Sequence, residues 1–208
     1  DLTNSILTWK NTFLLDNKSK FEIVLGRSFN NRKEFGGHEE EHEDEDEDHD
    51  EEEHEEHEGE AHIDFDLKTT TFDMKYVFPN KDKSEFILGS NFLFQENKNI
   101  GEEFLIPDAK KNDFGLFGLT NIYTANWDIL IGLRADFRTI DKTDFNKKYS
   151  SLTSSLGFRR NLGKNGVMRL NFSRGYRAPN LSELFAEGVH HGTAQYEIGN
   201  KDLETEKS

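Results

Sequence analysis

Apolar and polar residues alternate with a period of two along nearly the whole chain, and helical spacing is almost absent, which predicts an all-β protein. Leu7, Trp9, Phe13 and Leu15 mark a first strand, and Phe21, Ile23 and Leu25 a second. A third begins on Ile63, Phe65 and Leu67, then changes phase to Phe72, Met74, Tyr76 and Phe78; a bulge near Thr69–Thr71 is the expected cause. Further strands are expected at Phe86–Phe94, in the glycine-rich stretch Phe114–Tyr123, and at Ile129–Phe137, Leu152–Phe158 and Met168–Phe172. That makes eight strands, most of them longer than the usual mode of about five or six residues.

The opposite faces are polar: Arg134, Asp136 and Arg138 in the sixth strand, Arg169, Asn171 and Ser173 in the eighth. Two antiparallel architectures have such a sheet. In a soluble sandwich the apolar face is the core; in a membrane barrel it meets lipid and the polar face lines the lumen. Connection lengths separate them. The links near Asn17–Ser19, Asn80–Ser84, Ala125–Asn126 and Gly163–Asn165 are short, while Phe35–His62, Asn97–Asn112, Asp141–Lys148 and everything after Arg174 are long. Outer-membrane barrels alternate short periplasmic turns with longer external loops. A soluble sandwich rarely carries a structureless insert of about 25 residues beside other long loops. The barrel reading puts Phe86, Leu88, Phe92, Ile129, Ile131, Leu133, Leu156, Phe158, Leu170 and Phe172 on the convex, lipid-facing side of one antiparallel sheet. Arg134, Arg138, Arg169 and Asn171 then lie on the concave side.

Composition agrees with that choice. Only 33% of the residues are hydrophobic, and eighteen phenylalanines supply much of that apolar surface, which is thin for a globular core of 208 residues. No run of about eighteen apolar residues predicts a transmembrane helix. With no cysteine, disulfides and thiolate metal sites are excluded. Both ends read as cuts, so the chain is expected to be a piece of a longer protein.

One tract departs from the pattern. Between His38 and His62 stand seventeen acidic residues and six histidines, His38, His42, His49, His54, His57 and His62, with no lysine or arginine. The rest of the chain holds 24 acidic and 26 basic residues, so this insert carries the formal net charge of −15. Acidic runs are usually solvated polyanions. Interspersed histidine changes the chemistry, because imidazole and carboxylate together ligate first-row divalent metals. Zinc is the favoured ion; copper and nickel are compatible, and carboxylates alone would suit calcium. His190 and His191 are the two remaining histidines. Neighbours in an extended strand point opposite ways, so both reach one ion only if the backbone turns there, which Gly188 and Gly192 would permit.

The segment Asn171-Phe-Ser-Arg-Gly-Tyr-Arg-Ala-Pro-Asn-Leu-Ser-Glu-Leu-Phe185 reads as a strand ended by Gly175 and Pro179, followed by Leu181, Leu184 and Phe185 at near-helical spacing. It closely resembles a stretch in the barrels of TonB-dependent outer-membrane receptors. Gly132-Leu-Arg-Ala-Asp-Phe137 and Glu102-Glu-Phe-Leu-Ile-Pro-Asp108 are similar to that family too. The segment His190-His-Gly-Thr-Ala-Gln-Tyr-Glu-Ile-Gly-Asn200 resembles a zinc-uptake subset with a His/acid-rich external loop, whose counterpart would be residues 37–62. The resemblance implies an antiparallel transmembrane barrel of 22 strands with an N-terminal plug, driven through a TonB box by an inner-membrane energy-coupling complex. On that basis residues 1–208 are a partial barrel of about eight consecutive strands, without plug, TonB box or final strand.

The resulting expectation is a receptor in the outer membrane of a Gram-negative bacterium, importing a divalent metal, with zinc favoured. Its partners would be outer-membrane lipid, the metal ion or a metal chelate, and the TonB complex. One alternative is a receptor for a siderophore, haem or other chelate, with the acidic loop as surface decoration. Another is a soluble all-β metal-binding or adhesion module. Arg174 and Arg177 could hold an anionic substrate, although lumen arginines more often pair structurally, here with Asp136, Glu183 or the plug. No catalytic constellation is present, so an enzyme is not expected. The acidic balance argues against nucleic acid.

Overall fold

The structure is a computed structural model that describes residues 1–34, 63–80, 83–101, 106–163, 165–190 and 195–208. Eight strands form one sheet in chain order: β1 (Leu2–Leu14), β2 (Lys20–Glu34), β3 (Ile63–Val77), β4 (Ser84–Asn99), β5 (Ala109–Tyr123), β6 (Asp128–Lys142), β7 (Phe145–Leu162) and β8 (Gly166–Arg174). Each is antiparallel to the next, as hairpin connections require. β1 and β8 stand at the two edges and the sheet does not close on itself. Inside a bilayer those edges need pairing partners, so the sheet is part of a larger barrel.

Register assigns the faces. Trp9 pairs with Leu25, Leu25 with Phe72, Phe72 with Phe92, Phe92 with Phe114 and Phe114 with Phe137, a continuous apolar row across six strands. Its last four rings lie 6.0, 4.8 and 6.2 Å apart between centroids, within aromatic contact range. Phe86, Leu88, Ile129, Ile131, Leu133, Leu156, Phe158, Leu170 and Phe172 share this face by the same register. Arg134, Arg138, Arg169 and Asn171 occupy the other. The apolar face is the exposed one: Leu133 is 55% exposed and Phe172 62%, whereas Asp136 on the polar face is 9% exposed. A soluble protein would invert that arrangement. Lipid is the solvent that makes it stable.

Where the short turns lie, aromatic residues cluster at the edge of this belt. Phe13 meets Phe21, Phe78 sits between Tyr76 and Phe86, and Trp127 packs edge-on against Phe158. Rings with one polar edge favour the level where hydrocarbon gives way to headgroups. One of those turns holds Gly163 at φ +66°, a backbone conformation that suits glycine.

Two expectations need correction. There is no bulge at Thr69–Thr71: β3 keeps an unbroken register with both β2 and β4 through those residues. The phase change arises because β3 outruns the hydrocarbon layer. Asp64, Asp66 and Lys68 then take the outward face and Phe65 and Leu67 the inward one, where Phe65 packs against Ala186. The link Asp141–Lys148 is not a long loop either. β6 and β7 continue as a paired hairpin to Lys142 and Phe145, with only Thr143 and Asp144 between them. Polar residues on both faces had made these strand ends look like loop. Short and long connections therefore alternate less strictly than the sequence implies. Residues 35–62, 100–108 and those after Arg174 remain the long ones, all at one end of the sheet.

Candidate functional site

After Arg174 the chain leaves the sheet and folds back over its polar face as a strap. The strap comprises β9 (Tyr176–Arg177), helix α1 (Leu181–Phe185), and strands β10 (Glu187–His190), β11 (Gln195–Ile198) and β12 (Glu206–Lys207). Gly175 and Pro179 end the ladder, as expected. Asn180 then caps α1: its side-chain oxygen accepts from the Glu183 N–H at 2.8 Å, while the Glu183 carboxylate accepts from the Asn180 N–H at 2.9 Å. Five residues alone would not hold a helix. Packing does so. Leu184 and Phe185 are buried with Ile140 and Tyr149 of the sheet and Ala178 of the strap, and Phe145 meets Phe185 edge-on at 4.9 Å.

Polar contacts fix the strap at both ends. Arg177 donates to Glu183 at 2.6 Å and to both oxygens of Glu206 at 2.9 and 3.0 Å. β12 pairs with β9, and Gly175 exchanges backbone hydrogen bonds with Ser208. On the sheet side, Lys147 donates to the carbonyls of Lys201 and Leu203 and pairs with Glu204 at 3.3 Å. The Asn180 N–H, then Arg177, hold the Glu183 carboxyl below its ordinary range, and Arg177 does the same for Glu206. Depressed carboxylates stabilise the strap above the ordinary carboxylate pKa and lose that contribution as pH falls through their depressed values, so the clasp is closed at neutral pH.

Below the strap the polar face carries a linked set of charges. Arg134 grips Asp136 through both carboxylate oxygens at 2.8 and 2.9 Å and donates to Asn91 at 2.7 Å, and Asn91 donates in turn to Asp73. Arg138 makes a two-pronged pair with Asp113 at 2.7 and 2.8 Å. Arg134, Asp136 and Asn91 help wall an open concavity of about 660 Å³, which Phe117, Ser173 and Tyr176 also bound. Of the arginines that line it, Arg134 is already paired, with Asp136 and Asn91.

Most of the expected metal ligands fall outside this picture. His38, His42, His49, His54, His57, His62 and His191 lie outside the described residues, as do Glu102–Leu105 of the loop resemblance. His190 ends β10, opposite Gln195 of β11 in an antiparallel pair. The base of that hairpin is tied down, with the Gly199 N–H on the Ala186 carbonyl at 2.6 Å and the Asn200 N–H on the Glu183 carbonyl at 2.8 Å. Gly199 is required there, because a Cβ would come within 2.6 Å of the Leu184 carbonyl carbon. Among the described residues no three His, Asp or Glu side chains are arranged to hold a metal. Arg177 is a structural clasp, as the pairing alternative had it, and its partners are Glu183 and the unforeseen Glu206.

An outward apolar face, a charged inner wall and a strap laid across that wall are what a segment of a transmembrane β-barrel presents. The family model for the TonB dependent receptor-like beta-barrel matches residues 3–208. The chain belongs to that family. No curated protein matches it. Barrels of TonB-dependent receptors are outer-membrane receptors and transporters of Gram-negative bacteria, not enzymes, and work with TonB and a ligand.

Several residues of this TonB-dependent barrel were not singled out by sequence. Lys147, Tyr149, Asp113, Asp73 and Asn91 all build the inner face. One signal could have found the strap's seat: Ile140 and Tyr149 are apolar residues at polar-face positions near strand ends. Off-phase residues of that kind mark where something packs inside the barrel. The Asp73–Asn91–Arg134 chain leaves no such mark, since it joins three strands and needs the register.

Proposed function

We propose that this chain is part of a TonB-dependent receptor that takes a divalent metal ion across the outer membrane, with zinc the favoured substrate. The observation that carries the reading is the packing of Phe65 and Ile106 against Ala186. It supports a common rim for three features: the root of the 35–62 connection at Ile63, the 100–108 connection, and the hairpin that ends on His190. Eight histidines and seventeen carboxylates of residues 38–62 and 190–191 would then belong to one mouth. Imidazole with carboxylate is zinc-ligand chemistry. A polyanionic loop would raise the local cation concentration, and a smaller set including His190 and His191 would provide the defined geometry.

The chelate reading has one observation in its favour. The inner concavity of about 660 Å³ is far larger than a bare ion needs, so a siderophore or haem could enter it. The soluble-module reading does not fit, because the phenylalanine face is exposed rather than buried between sheets.

Zinc should order part of residues 38–62. Without cation, like-charge repulsion opposes compaction and the tract has little apolar surface to bury. Binding should release protons where histidine is still charged, below about pH 6.5. Hydrogen exchange on the full-length receptor, with and without zinc at neutral pH, checks this. The expected result is slowed exchange in 38–62 on zinc addition; unchanged exchange at saturating zinc would reduce the tract to a solvated polyanion.

A further inference from the structure

Beyond the Trp9–Phe137 row, toward the long-connection end, the outward face turns basic. Arg27 faces Thr70 and Phe94 in the next row, and Lys68 faces Phe29, Glu96 and then Lys110 in the row after that. Arg27, Lys68 and Lys110 surround a depression of about 240 Å³ whose other walls include Thr70, Phe94 and Asn112. Their charges are poorly matched. Among the described residues, Arg27 donates only to the Thr70 hydroxyl at 3.3 Å, Lys68 lies 5.9 Å over the Phe29 ring, and Lys110 reaches Glu96 at 3.9 Å. Of the nearby carboxylates, Asp141 stands opposite Lys110 in register but outside the depression, and two more are already engaged. Asn31 donates to Asp64 and Asp66 at 2.7 and 2.9 Å, and Lys33 pairs with Asp64 at 3.2 Å. Among the described residues Arg27 and Lys68 have no carboxylate partner.

Cations on a soluble surface would be solvated and need no ligand. These stand elsewhere. The depression opens on the same face as the lipid belt, in the two rows where hydrocarbon-facing phenylalanines give way to charge. That is the level of lipid headgroups, and in an outer-membrane barrel the end with long connections is the external one. Long basic side chains at such a level extend toward the interface and attract anionic headgroups. We propose that Arg27, Lys68 and Lys110 bind the phosphate-bearing headgroup of a lipid in the external leaflet. Thr70 and Asn112 supply neutral hydrogen bonds, and the acyl chains lie against Phe94, Phe92 and Phe114. A phosphate monoester fits better than a zwitterionic headgroup, because three cations converge and only one loosely held carboxylate, Glu96, shares the depression. The inference rests on the barrel and is independent of which substrate is transported.

The test uses the full-length receptor in detergent, with bound lipid counted by native mass spectrometry. The probe is phosphatidic acid, with phosphatidylcholine and inorganic phosphate as comparisons. Wild type should retain phosphatidic acid in preference to phosphatidylcholine and should not retain inorganic phosphate. The triple variant Arg27→Ala, Lys68→Ala, Lys110→Ala should bind phosphatidic acid on the order of a hundredfold more weakly, from the usual contribution of each basic residue near an anionic surface. The charge-conserving variant Arg27→Lys, Lys68→Arg, Lys110→Arg should keep most of the binding, which separates charge from packing; heat-modifiable gel migration reports that each variant barrel is folded. Equal retention by wild type and a folded alanine variant would overturn the proposal. So would equal retention of phosphatidylcholine, or inorganic phosphate bound as well as the lipid.

Discussion

Replacing Leu133 with arginine in the full-length receptor is expected to destabilise the barrel by about 2–4 kcal/mol, the cost of an arginine at the bilayer midplane. Leu133 is the central residue of the outward set Ile129, Ile131, Leu133, Ala135 and Phe137 on β6, and it is 55% exposed. In water that exposure would make the substitution harmless. In lipid, that face meets hydrocarbon. The matched control is Ser151→Arg. Ser151 faces inward and sits opposite Asp136, so an arginine there meets water and a carboxylate. Its expected cost is below about 1 kcal/mol, the usual range for surface substitutions. Denaturant unfolding in lipid vesicles measures both. Equal costs for the two variants would mean that the faces have been assigned the wrong way round.

The second large effect separates capture from selective transport. A loop of carboxylates and histidines can concentrate cations near the barrel mouth, but it defines no single coordination geometry. Deleting residues 37–62 should therefore lower zinc uptake mainly when zinc is scarce. The double change His190→Ala and His191→Ala should impair uptake even when zinc is plentiful, because a lost ligand is not replaced by higher local concentration. The change is expected to cost 10-fold or more in apparent zinc affinity, roughly the scale seen when groups supporting a metal site are removed. Uptake measured across a range of zinc concentrations distinguishes the two. A dispensable histidine pair together with a loop deletion that abolishes uptake at every concentration would reverse this division of labour.

Much of the fold was legible because lipid imposes a simple rule on alternate residues. On β6 and β7 the outward set could be read directly, and the register confirmed it strand by strand. The rule stops at the edge of the hydrocarbon layer, and both errors about the strands occurred there. Asp141–Lys148 looked like a loop because both faces of a strand in water are polar. The phase change in β3 looked like a bulge because Phe65 was assumed to share a face with Phe72. In fact each serves a different apolar surface, the strap for Phe65 and lipid for Phe72.

The inner site was less legible. Gly175, Pro179 and the spacing of Leu181, Leu184 and Phe185 announced a turn and a short helix, and both are present. Arg177 with Glu183 was within reach of sequence, since six residues and one helix cap separate them. Arg177 with Glu206 was not: the pairing depends on β12 returning to β9, which no periodicity signals. Ion pairs such as Asp113–Arg138 are decided by which strands neighbour each other and in what register. Metal ligation is harder still to read, because residues 38–62 have no alternation to constrain them.

Direct recognition of a divalent metal ion is what sets the proposed receptor apart from a chelate receptor. Titration calorimetry of the full-length receptor with zinc, copper, nickel and an iron chelate tests it most directly. Saturable heat is expected with zinc near neutral pH, weakened below about pH 6.5 as histidine protonates, and lost in part when His190 and His191 are replaced. Tight binding of the iron chelate with no saturable response to zinc would contradict it and would assign the inner concavity, rather than the histidines at the mouth, as the ligand site.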